Sequence, residues 1–469
     1  MIKKEAIMLT LFSLLVNLLF AQQTQKDSIQ SYSLKQAQEY ALQNSPLVKN
    51  ANLDLESAKK KIWETTALGL PQVNSKLAYS YQITIPALES QFTGLTQLGT
   101  WMYGADQALA GLTGSSNFGL VPAPDPNQQV ATNSQLRWGL TYDITATQLL
   151  FSGSYLVGLQ TAKVYKELSD DGIVKSQVDV EEQVSNAYYL VLIAQENKNI
   201  LDSTYFNTSK ILEYIKSINA QGLVEETDVD QMQLTVSTLK NASEMITRQL
   251  EVAKNLLKFQ MGIELSNTVL LTDDLNTLLA SSDLAGLAVK NFKVENNVDY
   301  SLMETQENLS ALYLKLQKST LLPDVAAFYQ HEENFNKNSF SFTPPNLIGV
   351  SMNIPIFGSG MKIAKIQQAK IALEKAKNSK EEVSLGLQTT FFSAQATFIT
   401  DLNNYLTKKQ NVLLAQKIYN KNIVKYKEGI IGSLELTVAQ NQYLQAQTEY
   451  YTSVIDLTTA KSKLEKLLK

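Results

Sequence analysis

Between Ser154 and Ala220, and again between Met361 and Glu428, the sequence contains no proline, and glycine occurs only at Gly158, Gly172 and Gly386. Such runs are expected to form helices of about 65 residues, roughly 100 Å long at 1.5 Å per residue. Helices of compact domains average only ~11–12 residues, so elements of this length must bury a stripe against partners along their whole axis. Val184, Ala187, Tyr188, Val191 and Ala194, and later Val412, Ala415, Ile418 and Tyr419, supply such stripes at three- and four-residue spacing, the pattern of coiled-coil packing.

The two runs belong to a unit written twice. Leu68-Gly69-Leu70-Pro71-Gln72-Val73 recurs as Thr320-Leu321-Leu322-Pro323-Asp324-Val325, each time ending a helical pattern and opening an alternating one. Gln148-Leu149-Leu150-Phe151-Ser152-Gly153-Ser154 recurs as Ile354-Pro355-Ile356-Phe357-Gly358-Ser359-Gly360, now leading from strand to helix. Gly222-Leu223-Val224 and Gly429-Ile430-Ile431 each interrupt a long helical pattern, as a turn with glycine at the helix end would. Three weak matches in one order indicate a tandem repeat. The first repeat is expected to span 22–265, with strand 71–85, loop 86–134, strand 135–150 and a helical hairpin over 153–262. A connector covers 266–283, and the second repeat spans 284–469, with strand 323–331, loop 332–345, strand 346–357 and a hairpin over 358–469.

The strand segments alternate strictly. Val73, Ser75, Leu77, Tyr79, Tyr81, Ile83 and Ile85 oppose Asn74, Lys76, Ala78, Ser80, Gln82 and Thr84. Leu136, Trp138, Leu140, Tyr142, Ile144 and Ala146 form a second apolar set, and Ile348, Val350, Met352, Ile354 and Ile356 a third. These runs exceed the ~5–6 residues of an ordinary strand and suit the ~9–11 of a tilted membrane strand. Tyr79, Tyr81, Trp138, Leu140, Tyr142, Val350 and Met352 are then lipid-facing; a soluble sheet with one buried face is the alternative. Four strands cannot close a membrane barrel, whose smallest examples use ~8, so several chains must contribute.

Met1-Ile2-Lys3-Lys4 followed by an apolar stretch to Phe20 and then Ala21 has the form of a secretory signal peptide over 1–21. No later stretch has the ~20 apolar residues of a spanning helix, so membrane attachment has to come from strands. The absence of cysteine removes disulfides and thiolate chemistry. A formal charge of −4 disfavours nucleic acid as a partner. The single histidine, His331, rules out a histidine cluster or triad, and no phosphate-binding or dinucleotide motif occurs. The expectation is a protein that is not an enzyme and carries no catalytic residue, metal or cofactor.

Together the Leu-Pro-x-Val elements, the Phe-x-Gly strand exits and the paired glycine turns resemble the TolC family of outer-membrane efflux and secretion channels. The resemblance extends over nearly the whole chain beyond the signal. It implies a mainly α fold with a membrane β-barrel: a homotrimer, four strands per protomer in a 12-stranded barrel, and long coiled-coil helices in the periplasm. The implied partners are a periplasmic adaptor, an inner-membrane transporter and outer-membrane lipid. Within the resemblance, Gly222, Leu223, Gly429 and Ile430 form the adaptor-docking turns, and Thr227, Asp228, Tyr426 and Glu435 the periplasmic gate, with the Tyr426 phenol donating to Asp228. The family's gate arginine falls at Ile431 and one of its two acidic constriction positions at Val438, so the gate is only partly carried over. An exported periplasmic coiled-coil adaptor or structural protein is the competing reading; it needs neither four long strands nor a duplicated unit.

Overall fold

The computed structural model describes residues 30–81, 83, 89–113, 138–335 and 344–469. The leader at 1–21, strand residues 82, 84, 85 and 135–137, and much of both strand-connecting loops lie outside the described residues. The chain divides into two compact units, one holding Trp63–Leu159 and Lys315–Lys365 and the other the segment through Ile62, Gln160–Leu314 and Ile366–Lys469.

The smaller unit contains a four-stranded antiparallel sheet of β2 (Gln72–Tyr81), β3 (Trp138–Ser152), β5 (Asp324–Asn334) and β6 (Asn346–Asn353), paired in that order. Its register gathers the alternating residues onto common faces. Leu77 lies opposite Tyr142, Tyr79 opposite Leu140 and Tyr81 opposite Trp138. Ala146 lies opposite Tyr329, which pairs on with Ile348, while Ala327 pairs with Val350 and Val325 with Met352. Since side chains alternate with period two, all four strands place these residues on one face. The other face carries Asn74, Lys76 and Ser80, then Thr141, Asp143 and Thr145, then Gln330 and Ser351. On that polar face Asp143 accepts from Thr145 Oγ1 at 2.8 Å and from Gln330 Nε2 at 2.7 Å.

The strand limits depart from those expected in instructive ways. β5 runs on to Asn334, because β3 offers Asp143, Tyr142 and Thr141 as partners for Glu332, Glu333 and Asn334. β6 stops at Asn353, short of 357; Pro355 has no N–H to continue a ladder. β3 extends through a bulge between Leu149 and Phe151 to Ser152 and passes directly into helix at Gly153. A Cβ at Gly153 would approach Leu322 Cδ1 to 2.7 Å and Ser319 O to 3.1 Å, so this junction requires glycine. The segment read as loop 86–134 contains a helix, α3 (Glu89–Thr113). Its prolines are confined to Pro86 and to Pro122, Pro124 and Pro126, which leaves 89–113 free to wind.

The larger unit is helical. It draws on α1 (Leu34–Asn44), α2 (Pro46–Ala67), α4 (Gly153–Asn219), α5 (Glu226–Met261), α8 (Val298–Ser319), α9 (Met361–Lys427) and α10 (Ser433–Leu467). The connector is not structureless. β4 (Val269–Leu271) pairs in parallel with β1 (Gln30–Tyr32), and α6 (Leu275–Ser281) and α7 (Leu284–Ala288) follow. Tyr188 on α4 anchors this small sheet, donating to Tyr32 O and Asp273 Oδ2 at 2.9 Å each, while Asp273 also accepts from Leu34 N at 2.7 Å. Ser33 closes a capping box with Gln36 at the start of α1. Among the described residues no helix is long and apolar enough to cross a membrane.

Helix α9 carries two adjoining stripes of strict seven-residue period. Phe391, Phe398, Tyr405, Tyr419 and Tyr426 are buried within the chain, with Val412 half-buried at the intervening heptad position. Phe391 stacks on Phe292, and Tyr419 stacks on Tyr443 of α10 with centroids 5.6 Å apart. One residue further along at each repeat lie Phe392, Ile399, Leu406 and Leu413, preceded in the same register by Leu385, and all are exposed. A seven-residue period sustained over this length imposes a left-handed supercoil, and α9 presents a second seam that its own chain leaves uncovered.

Candidate functional site at the helical tips

Two helix-to-helix turns end the long hairpins, and both are built alike. α4 ends in Gly222 at φ 74°, with Leu223 N donating back to Ile218 O at 3.1 Å. α9 ends in Gly429 at φ 70°, with Ile430 N donating to Lys425 O at 2.9 Å. This is the Schellman arrangement, which a residue with a Cβ adopts only with strain. Open space surrounds both glycines, so conformation and not crowding selects them. Asn219 Nδ2 braces the first turn by donating to Val224 O at 2.8 Å. Leu223 is 73% exposed and Ile430 70% exposed, an uncovered aliphatic side chain on each turn.

Just past the turns the return helices begin. Asp228 lies in the first turn of α5 and Glu435 in the first turn of α10, where a carboxylate is favoured by the helix dipole. Glu435 is exposed, with Leu434 and Val438 exposed beside it. Thr227 is exposed and bonds locally, its hydroxyl donating to Glu225 Oε2 at 3.2 Å. Ile431 is half-buried against the apolar cluster formed by Ile211, Leu212, Ile215, Met232, Leu436 and neighbouring tyrosines.

The expected Tyr426 to Asp228 hydrogen bond is not the one the chain makes. Tyr426 is buried in that cluster and its hydroxyl has no hydrogen-bond partner among the described residues. Burial raises its pKa, and the nearby Asp228 carboxylate and the Tyr214 phenol raise it further, so the phenol stays protonated. Asp228 Oδ1 instead accepts from Ser433 Oγ, the first residue of α10. The physical reason is placement: Ser433 begins the helix beside that of Asp228, whereas the Tyr426 ring lies among aliphatic side chains. Above this level Thr208 accepts from Gln440 Nε2 at 3.1 Å and lies 3.4 Å from Tyr419 Oη. Gln440 Oε1 and Thr437 Oγ1 are buried without partners. Sequence reasoning missed Ser433, Thr208 and Gln440, because polar residues inside helical stripes leave no periodic trace.

Residues 295–468 match the family described as outer membrane efflux protein, a span running from just before α8 to the end of α10. No curated protein sequence matches it. The fold is that of solved outer-membrane channels. A structure of CusC superposes with a TM-score of 0.69 at 13% identity, covering 93% of this chain and 92% of that one. VceC from Vibrio cholerae gives 0.67 at 15%, covering 93% and 95%. The open state of the MtrE channel from Neisseria gonorrhoeae gives 0.65 at 13%, covering 93% and 88%. That fold accounts for the four long strands and the duplicated hairpins. Among the described residues no group of side chains is arranged to hold a metal ion.

Proposed function

We propose that this chain is an outer membrane efflux protein, one of three protomers of a channel that passes solutes or proteins from an inner-membrane transporter and periplasmic adaptor to the exterior. The observation that carries the reading is the sheet register, which brings Leu77, Tyr79, Leu140, Tyr142, Val350 and Met352 onto one face. β2 and β6 are the outermost strands of the four. In hydrocarbon an open strand edge is not tolerated, so β2 of one protomer closes on β6 of the next, and three copies give a 12-stranded barrel. The uncovered seam of α9 supports the same association in the helical region.

Within that assembly the turns at Gly222 and Gly429 are the docking points for the adaptor, supported by the exposed Leu223 and Ile430. Asp228 and Tyr426 belong to the closing tip, Thr227 to its rim, and Glu435 forms a ring of three carboxylates that favours cations. The purified protein is expected to need detergent and to form cation-selective pores in planar bilayers. A monodisperse water-soluble monomer that forms no pores would overturn the reading.

A further inference from the structure

The first turns of α5 and α10 meet at the tips, and each brings the partial positive charge of a helix N-terminus. α10 begins poorly equipped for this. Its N-cap is Gly432, which has no side chain to accept from the free amides, whereas a serine or aspartate there would. The neighbouring hairpin brings a negative charge to this end instead, since Asp228 of α5 accepts from the hydroxyl of Ser433, the buried first residue of α10. Tyr426, the hydroxyl expected in this place, is more than nine-tenths buried yet unpaired.

We propose that Ser433 is the positioning residue that ties the two hairpins of a protomer together at the tip, holding Asp228 where its carboxylate serves both helix N-termini. Separating the hairpins then costs the serine bond and also leaves α10 without its borrowed anion, so the tie and the first turn of α10 open together. Tyr426 contributes packing to the closed tip and no hydrogen bond. The inference rests on the reading of the tip as the closing end of the channel.

The test is hydrogen exchange at the amides of Leu436–Ala439, the first of α10 with helical acceptors, in the detergent-solubilised full-length assembly, followed by single-channel conductance of the same preparations. Ser433→Ala and Asp228→Ala are each expected to speed exchange about tenfold, the equivalent of one hydrogen bond to a charged group. The double variant should be no faster than the singles, and Ser433→Thr should restore protection. Tyr426→Phe should leave exchange unchanged. Unchanged exchange in Ser433→Ala, or additive effects in the double variant, would overturn the tie whatever the conductance does. Coupled exchange with unaltered conductance would uphold the tie and overturn the gating role of the tip.

Discussion

A buried hydroxyl without a partner is a cost to the protein that carries it, commonly ~1–3 kcal/mol, and Tyr426 carries one. Its ring belongs to the buried aromatic stripe of α9, and phenylalanine would serve that stripe equally. Tyr426→Phe is therefore expected to leave the thermal unfolding midpoint of the assembly unchanged or raised. A loss beyond ~1.5 kcal/mol, the worth of a bond to a charged group, would mean that assembly supplies the hydroxyl with a partner. Glu435 allows a sharper test, because it is exposed near the tip and the permeation role proposed for it depends on charge alone. Glu435→Gln should lower cation over anion selectivity in planar bilayers, and unaltered selectivity would remove it from the permeation path. The turn glycines were legible in the sequence through the repeat, and the first-turn carboxylates only through the family resemblance. Ser433 was not, because its contact crosses 205 positions and its neighbours Gly432 and Leu434 give no pattern.

Strands β2, β3 and β6 were legible because alternation is a direct consequence of the pleat, and their register confirmed that the alternating sets share a face. Their ends were less legible. Whether β5 stops at His331 or Asn334 depends on the length of β3 across the ladder, which local sequence does not encode. The helix within 89–113 was hidden by flanking prolines averaged over one long connection. If the shared face meets lipid, Tyr79→Lys places a charge in hydrocarbon at ~2–4 kcal/mol near the bilayer midplane. Lys76→Leu changes only the polar face. Tyr79→Lys is expected to reduce heat-resistant oligomer on gels several-fold more than Lys76→Leu, and equal effects would reverse the face assignment.

At the scale of the molecule, one chain leaves two kinds of surface incomplete: the edges of β2 and β6, and the seam of Leu385, Phe392, Ile399, Leu406 and Leu413 on α9. The seam makes a prediction of its own, since Leu406→Glu puts a charge within it at a position one residue away from the buried stripe. That change should lower trimer yield while leaving the circular dichroism helix signal intact; unchanged yield would show that the seam is not a contact between copies. The edge strands allow the most direct test, because the chain has no cysteine of its own. Ala78→Cys in β2, combined in turn with Leu347→Cys, Ser351→Cys or Asn353→Cys in β6, samples three same-face positions of β6 against one of β2 on the two outermost strands. Oxidation of the membrane-embedded protein should give crosslinked dimer and trimer on denaturing gels for at least one pair, and nothing larger. Monomer alone for every pair, or a ladder continuing past three chains, would contradict a barrel closed by three protomers.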